Sequence, residues 1–373
     1  MKILLVAPIF RPNNGVAAQR MNFFFDTLVD VHEIDVLVLG SSTCLSGQVK
    51  TIDKALFATS HCAWRNKGLI SDMLKKYLIN YNVVIVSLPD YGLLEIVNIC
   101  HTLGVKCITD LRDQPNLSTV QQKSNNKFKN LFIKVKNILQ VQYVYRRLKL
   151  ADYITVVGAA STGIVQEKLN KIVINVNNGY LMEDKKFVSN NLPNISAVET
   201  PIIIGWVGNI HKFRDNIDLR KVLDQLNVLS KHNNVVLRHW GKCCPELERY
   251  IHSKDNLVYE NTTNFVRKEF LTELNVCKAF LLSCSDSLIW EPTTSVFDYL
   301  LFNKPVIYTG LRNNEAFNIL FNSGKRIIGL DDIESLVCED ELDSDFHFIS
   351  DLYSREYAFT NMKKILDDIQ KKL

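Results

Sequence analysis

Residues 287–307 of this 373-residue chain read SLIWEPTTSVFDYLLFNKPVI, with Thr293, Thr294 and Ser295 heading an apolar segment and Asp298 three positions beyond them. The first-turn N–H groups of a helix have no intrahelical partner, so amides and hydroxyls gathered there can hold a phosphate or diphosphate without a lysine. A carboxylate one turn in, about 4–5 Å further along the axis, is placed to accept from the two hydroxyls of a ribose. The same residues also suit an ordinary N-cap followed by a solvated first-turn acid. Two further groups could do chemistry. In GWVGNIHKFRDNID (205–218), Gly208 and Asn209 precede Lys212 and Arg214. A guanidinium fork and an ammonium neutralise phosphate oxygens, or stand as a solvated loop pair. In ITDLRDQPN (108–116), Asp110, Arg112 and Asp113 could position a hydroxyl-bearing acceptor or form an internal salt bridge.

Positioning these groups requires a sheet. Apolar runs of strand length recur at 2–7, 32–39, 83–88, 105–109, 153–157 and 172–176, separated by amphipathic stretches at 16–30, 67–79, 91–103 and 119–149. That is the βαβ rhythm of a parallel sheet with helices on both faces. It pauses over the polar stretch 182–200, which reads as a linker, and resumes with strands at 201–208, 234–241, 256–260, 278–284 and 304–310. The expected organisation is a first α/β domain over 1–181, a linker over 182–200, a second over 201–352, and a terminal helix over 353–373.

Composition narrows the class. With 47% hydrophobic and 23% charged residues and a net charge of +4, the chain reads as globular and only mildly basic. Its nine Cys are scattered without a Cys-x-x-Cys pair, which predicts reduced thiols in a cytoplasm. MKILLVAPIF is too short an apolar run for a leader or a spanning helix and reads as a buried strand. The acids and the eight His show no metal-ligand spacing, and no Gly-x-Gly-x-x-Gly follows a strand, which argues against a nicotinamide dehydrogenase.

PTTSVFDYLLFNKPVI resembles the Pro-x-Lys-x-x-Glu-Tyr-x-x-x-Gly-Lys-Pro-Val-Ile segment of retaining GT-B glycosyltransferases, family 4 above all. The glycine loop at 205–218, ADYITVVGAASTGI (151–164), NVNNGYL (175–181), the Asp-x-Arg-Asp loop and YSREYAF (353–359) resemble further segments of that family, in order, over most of the chain. The departures are Asp298 for the usual Glu, Asn303 for Gly, Arg355 for Trp, and Glu291 seven positions before Asp298 where the family has eight. The resemblance implies two Rossmann-like domains facing across a cleft, with a C-terminal helix crossing back to the N-terminal domain. It implies donor contacts at Gly15, Gly208, Asn209, Lys212, Glu291, Thr293, Thr294, Ser295 and Asp298. Reacting and acceptor-side groups would be Asp110, Arg112, Asp113 and Arg214. Gly15 is also read simply as a tight turn after Asn13 and Asn14. The activity implied is metal-independent transfer of a sugar from a nucleotide-sugar donor to a hydroxyl of a glycan or lipid-linked glycan acceptor, with retention and with no cofactor, in capsule, O-antigen or exopolysaccharide synthesis. A nucleotide-sugar epimerase, or a binding partner with weakened catalysis, remains open beside it.

Between Asp113 and Asp152 there is no acid, but eight Lys and Arg. Phe128, Leu131, Phe132, Val135, Ile138 and Leu139 form one helical stripe, flanked by Lys127 and Lys134 on one side and Lys129 and Lys136 on the other. This is the pattern of a helix lying on an anionic membrane, or of a core helix with solvated lysines. It predicts a peripheral protein on the inner face of the cell membrane. No nucleic-acid module accompanies the basic run.

Overall fold

The computed structural model describes the whole chain except residues 13–14, 40–48, 53–66, 89–90, 114–126, 192–200, 211–216, 285–291 and 339–350. The chain divides into two compact units, Met1–Asn177 with Phe359–Leu373, and Asn178–Ala358.

Among the described residues the first unit is built on seven parallel strands: β1 (Lys2–Ala7), β2 (Glu33–Leu39), β3 (Val49–Ile52), β4 (Val83–Leu88), β5 (Lys106–Leu111), β6 (Tyr153–Val156) and β7 (Val173–Asn175). Their order is β3-β2-β1-β4-β5-β6-β7. The crossovers carry α1 (Val16–Leu28), α2 (Lys67–Leu78), α3 (Leu94–Leu103), α4 (Lys127–Leu148) and α5 (Ala159–Leu169). The strand VVIVSL of β4 is buried along its whole length, as a central strand covered by helices on both faces must be.

The second unit has six parallel strands: β8 (Ile202–Val207), β9 (Val235–Trp240), β10 (Val258–Thr262), β11 (Ala279–Ser283), β12 (Val306–Thr309) and β13 (Ile327–Ile328), in the order β10-β9-β8-β11-β12-β13. Around them lie α6 (Met182–Asn190), α7 (Ile217–Leu229), α8 (Pro245–His252), α9 (Arg267–Asn275), α10 (Ser295–Leu300), α11 (Glu315–Asn322) and α12 (Ser335–Cys338). Strand order reverses between β1 and β4 in one unit and between β8 and β11 in the other. At such a switch point neighbouring loops leave in opposite directions and open a crevice at the carboxyl ends.

Two boundaries differ from the sequence reading. The first unit ends at Asn177 rather than 181, because Tyr180 is already buried in the second unit's core. Residues 182–190 are helix α6 rather than linker: Val188 packs in that core and Asp184 reaches Arg267 at 2.8 Å, while the other residues of its polar sequence stay closer to solvent. The rest of the expected linker, 192–200, lies outside the described residues.

The terminal helix α13 (Arg355–Lys372) is N-capped by Ser354, whose Oγ accepts from the Tyr357 N–H at 3.1 Å. Glu356 accepts the Met182 N–H at the start of α6, at 3.1 Å. From Phe359 onward the helix belongs to the first unit, where Phe359 packs against Phe23 and Phe24 of α1 with ring centroids 5.6 and 5.1 Å apart.

Candidate functional site

In the second unit the residues of interest surround the β8/β11 switch point. Strand β8 is followed by Gly208, whose φ of +140° disfavours a side chain and whose Cα faces open space where a Cβ would stand. The backbone there can be approached closely. Behind it Gly241 follows β9 with φ +148°, and a Cβ on Gly241 would meet the Gly208 carbonyl oxygen at 2.1 Å. The two chains stay zipped beyond the strands: Gly208 N donates to Trp240 O at 2.9 Å, Ile210 N to Lys242 O at 2.8 Å, and Lys242 N to Asn209 Oδ1 at 2.8 Å. Asn209 thus fixes its own loop through its side chain.

His239 supports the turn from beneath. It is fully buried, stacks on Trp206 with centroids 4.5 Å apart, and its Nε2 donates to Gly208 O at 2.7 Å. That bond assigns the tautomer, leaving Nδ1 to accept from Tyr259 Oη at 2.8 Å or Asn261 Nδ2 at 2.9 Å. Burial lowers its pKa, with the Gly208 carbonyl opposing, which favours the neutral ring.

Across the switch point, Pro292, Thr293 and Thr294 lead into α10. The helix has six residues, so it is only about 9 Å long. The expected cap is not made: Thr294 is itself in helical conformation and makes no side-chain capping bond, while Thr293 Oγ1 lies 3.0 Å from Ser295 Oγ. The Val296 and Phe297 N–H groups bond back to the Thr293 and Thr294 carbonyls at 3.2 Å. A tight first turn consumes those two amides, so the amides that precede them, with the three hydroxyls, make the helix entry. Tyr299 locks this turn to the sheet. Its ring lies flat on Phe280, its oxygen accepts the Val207 N–H at 2.8 Å, and its O–H donates to Leu281 O at 3.0 Å. One buried phenol therefore ties α10 to both strands of the switch point.

Asp298 is not a free carboxylate. Arg267, at the start of α9, donates to its Oδ1 at 2.6 Å and to Asp184 Oδ2 at 2.8 Å. Burial opposes the Arg267 charge, but the two carboxylates outweigh it and raise its pKa. Lys304, of the Asn-Lys-Pro that follows α10, donates to the Asn275 carbonyl at 2.5 Å and to that of Cys277. It caps the C-terminus of α9 and has no part at the helix entry.

In the first unit Asp110 is fully buried at the end of β5, with both oxygens engaged by Arg20 of α1 at 2.8 and 2.7 Å and Oδ1 also by Thr155 at 2.8 Å. Of the two roles the sequence allowed Asp110, this is the salt bridge, made to Arg20 of α1 and not within the Asp-x-Arg-Asp loop: Asp110 is the counter-ion of a buried guanidinium that also reaches the Asn177 carbonyl at 3.3 Å. Arg112 lies against the end of β4, its Nε donating to Leu88 O at 3.0 Å, and Asp113 is exposed. Gly15 precedes α1 with φ −63° and ψ 156°, which any residue adopts, so a tight glycine turn is not what this position needs. Lys212, Arg214 and Glu291 lie outside the described residues, as do the side chains of Lys127, Lys129, Lys134 and Lys136 on α4.

Arg20, Gly241, His239, Arg267 and Tyr299 were not singled out by sequence. Two carry a local signal: Gly241, a glycine closing a strand-like run, and Tyr299, which follows Asp298 as Tyr follows Glu in the segment quoted above.

No family model matches the chain. No curated protein matches it either. Solved structures do. A glycosyltransferase from Rickettsia africae ESF-5 superposes with TM-score 0.63 at 12% identity, covering 100% of this chain and 99% of the other. The lipopolysaccharide outer core galactosyltransferase WaaB gives 0.57 at 10%, covering 99% of each chain. An alpha-glucosyltransferase in complex with UDP gives 0.55 at 11%, again covering 99% of each. At such identities the likeness concerns the fold: an α/β chain of two Rossmann-like units, the GT-B class.

Proposed function

We propose that the chain is a retaining, metal-independent glycosyltransferase that moves a sugar from a nucleotide-sugar donor to a hydroxyl of a lipid-linked glycan in surface-polysaccharide synthesis, at the inner face of the cell membrane. The observation that carries this reading is the β8/β11 switch point, with Gly208 leaving open backbone on one side and the α10 entry on the other. Neighbours in fold that are glycosyltransferases, one of them holding UDP, support it.

In this reading the diphosphate lies between the Gly208 backbone and Thr293, Thr294 and Ser295. Lys212, Arg214 and Glu291, which lie outside the described residues, keep in this proposal the roles toward the donor that the sequence reading gives them. The main barrier is separation of charge as the anomeric C–O bond to the diphosphate breaks, so preorganised amides and cations aimed at the leaving oxygens lower it most. Asp298, held by Arg267, keeps its second oxygen for the ribose. Asp110 acts through Arg20 as a positioning residue, and Arg112 and Asp113 are left to meet the acceptor. With no cofactor in the scheme, the protein's own charges supply the catalysis.

The test is UDP binding by calorimetry, followed by turnover with EDTA. Gly208→Val places a branched side chain at φ +140° and fills the open side, so UDP affinity should fall at least tenfold while the fold persists. Unchanged affinity in that variant, or turnover that EDTA abolishes and Mg²⁺ or Mn²⁺ restores, would overturn the assignment.

A further inference from the structure

The sequence left open whether the apolar stripe of α4 is core. The structure answers for its described members: Leu131, Val135, Ile138 and Leu139 are 60, 47, 37 and 60% exposed. At 3.6 residues per turn these four fall within an arc of about 100°, while Val144 and Leu148, which are buried in the first unit's core, lie roughly opposite. The helix therefore has two apolar faces. One docks through its C-terminal turns, and the other, over the preceding turns, points away from the core.

Arg146 and Lys149, both exposed, continue the outward face toward the C-terminus. Lys127, Lys129, Lys134 and Lys136 belong to the aliphatic part of the helix, and residues 114–151 contain no acid at all. We propose that this face of α4 is a docking surface for an anionic lipid bilayer, with the aliphatic side chains in the headgroup–acyl boundary and the cations on lipid phosphates. The charge selects this occupant. A second copy would bring the same basic face against itself. A nucleic acid would gain nothing from four aliphatic side chains.

The inference rests on the transfer reading only in linking this surface to a lipid-borne acceptor; the surface stands or falls separately. The experiment is sedimentation of the full chain with vesicles of phosphatidylcholine alone and mixed with phosphatidylglycerol. The parent should pellet with the mixed vesicles at low salt, be released as salt screens the headgroups, and ignore the neutral ones. Changing Lys127, Lys129, Lys134 and Lys136 together to Gln should weaken partitioning about 10³-fold. Leu131→Gln with Leu139→Gln, at exposed positions that leave folding intact, should weaken it at least tenfold. UDP affinity in both variants should equal the parent's, which separates failure here from failure of the donor site. A parent that ignores both vesicle types, or variants that bind as it does, would overturn the proposal. So would a parent dimer dissolved by the Leu131 and Leu139 changes, since a second copy would then be the occupant.

Discussion

Both units close a parallel sheet with a reversal of strand order, yet they place their polar residues differently. In the first, the carboxyl ends of β5 and β6 hold Asp110 and Thr155 side by side in the sheet register, and Asp110 accepts from both Thr155 and Arg20, which descends from α1. The charges cancel inside, and the result is a fastening. In the second, glycines directly follow β8 and β9, and three hydroxyls stand at a helix entry where Thr294 makes no side-chain cap. Polar capacity there is set beside open space. A strand-end acid and a strand-end glycine do opposite things here: one anchors a helix, the other leaves its backbone open.

The largest expected effect breaks the fastening. Asp110→Ala leaves the Arg20 guanidinium buried beside an uncharged side chain, and removing one partner of a buried pair costs about 3–5 kcal/mol. Urea unfolding should show the loss, while UDP affinity, measured where the fold persists, should hold. A loss of UDP affinity without a loss of stability would reverse the comparison and restore Asp110 to a direct role.

This contrast explains what was legible. The strands were read because parallel strands covered on both faces must be runs of Val, Ile and Leu, as KILLVA and VVIVSL are. Strand β3, VKTI at a sheet edge, lacks that signature and was missed. Helix α6 was read as linker because its sequence is mostly polar: only Val188 is buried in the core, with Met182 and Phe187 packed partly buried against it. The helix start at Thr293 to Ser295 was legible because helix-entry chemistry is local. Arg20 with Asp110, 90 positions apart, and Arg267 with Asp298, 31 apart, were not, because a single sequence carries no trace of which distant charges meet.

A smaller effect sharpens the other half. Asp298→Ala removes a charged acceptor, and if its second oxygen serves the ribose, UDP binding should weaken by roughly 1.5–3 kcal/mol, about 10- to 150-fold. Stability should suffer less than in Asp110→Ala, because Arg267 keeps Asp184 and is 37% exposed on its side chain. Arg267→Met separates the roles. If it weakens UDP binding as much as Asp298→Ala does, Asp298 acts by organising the turn and not by touching the nucleotide.

The smallest expected effect tests how the second unit handles buried cations. Arg20 in the first unit has a carboxylate; Lys304 is held by the carbonyls of Asn275 and Cys277, and Lys325 donates to that of Phe302. Carbonyl dipoles offset burial less fully than a full opposite charge does. Burial lowers the Lys304 pKa to about 8, and burial together with repulsion from Lys304 lowers that of Lys325 to about 7. Both folded values lie below the ordinary 10.5, so over this range the unfolded chain binds more protons and stability rises with pH. The window runs from about pH 7 to about 8.5; toward its upper end the unfolded thiols, about half ionised near pH 8.5, oppose part of the trend. Across it the two lysines together should add on the order of 1–2 kcal/mol, read as a rising midpoint in urea. Lys325→Met, similar in length and without the charge, should flatten that rise while leaving Asp110→Ala just as damaging at either pH. A midpoint that falls between pH 7 and 8.5 in the parent, or rises equally in Lys325→Met, would show that these lysines keep their charge in the fold as Arg20 does, and the contrast between the two interiors would be lost.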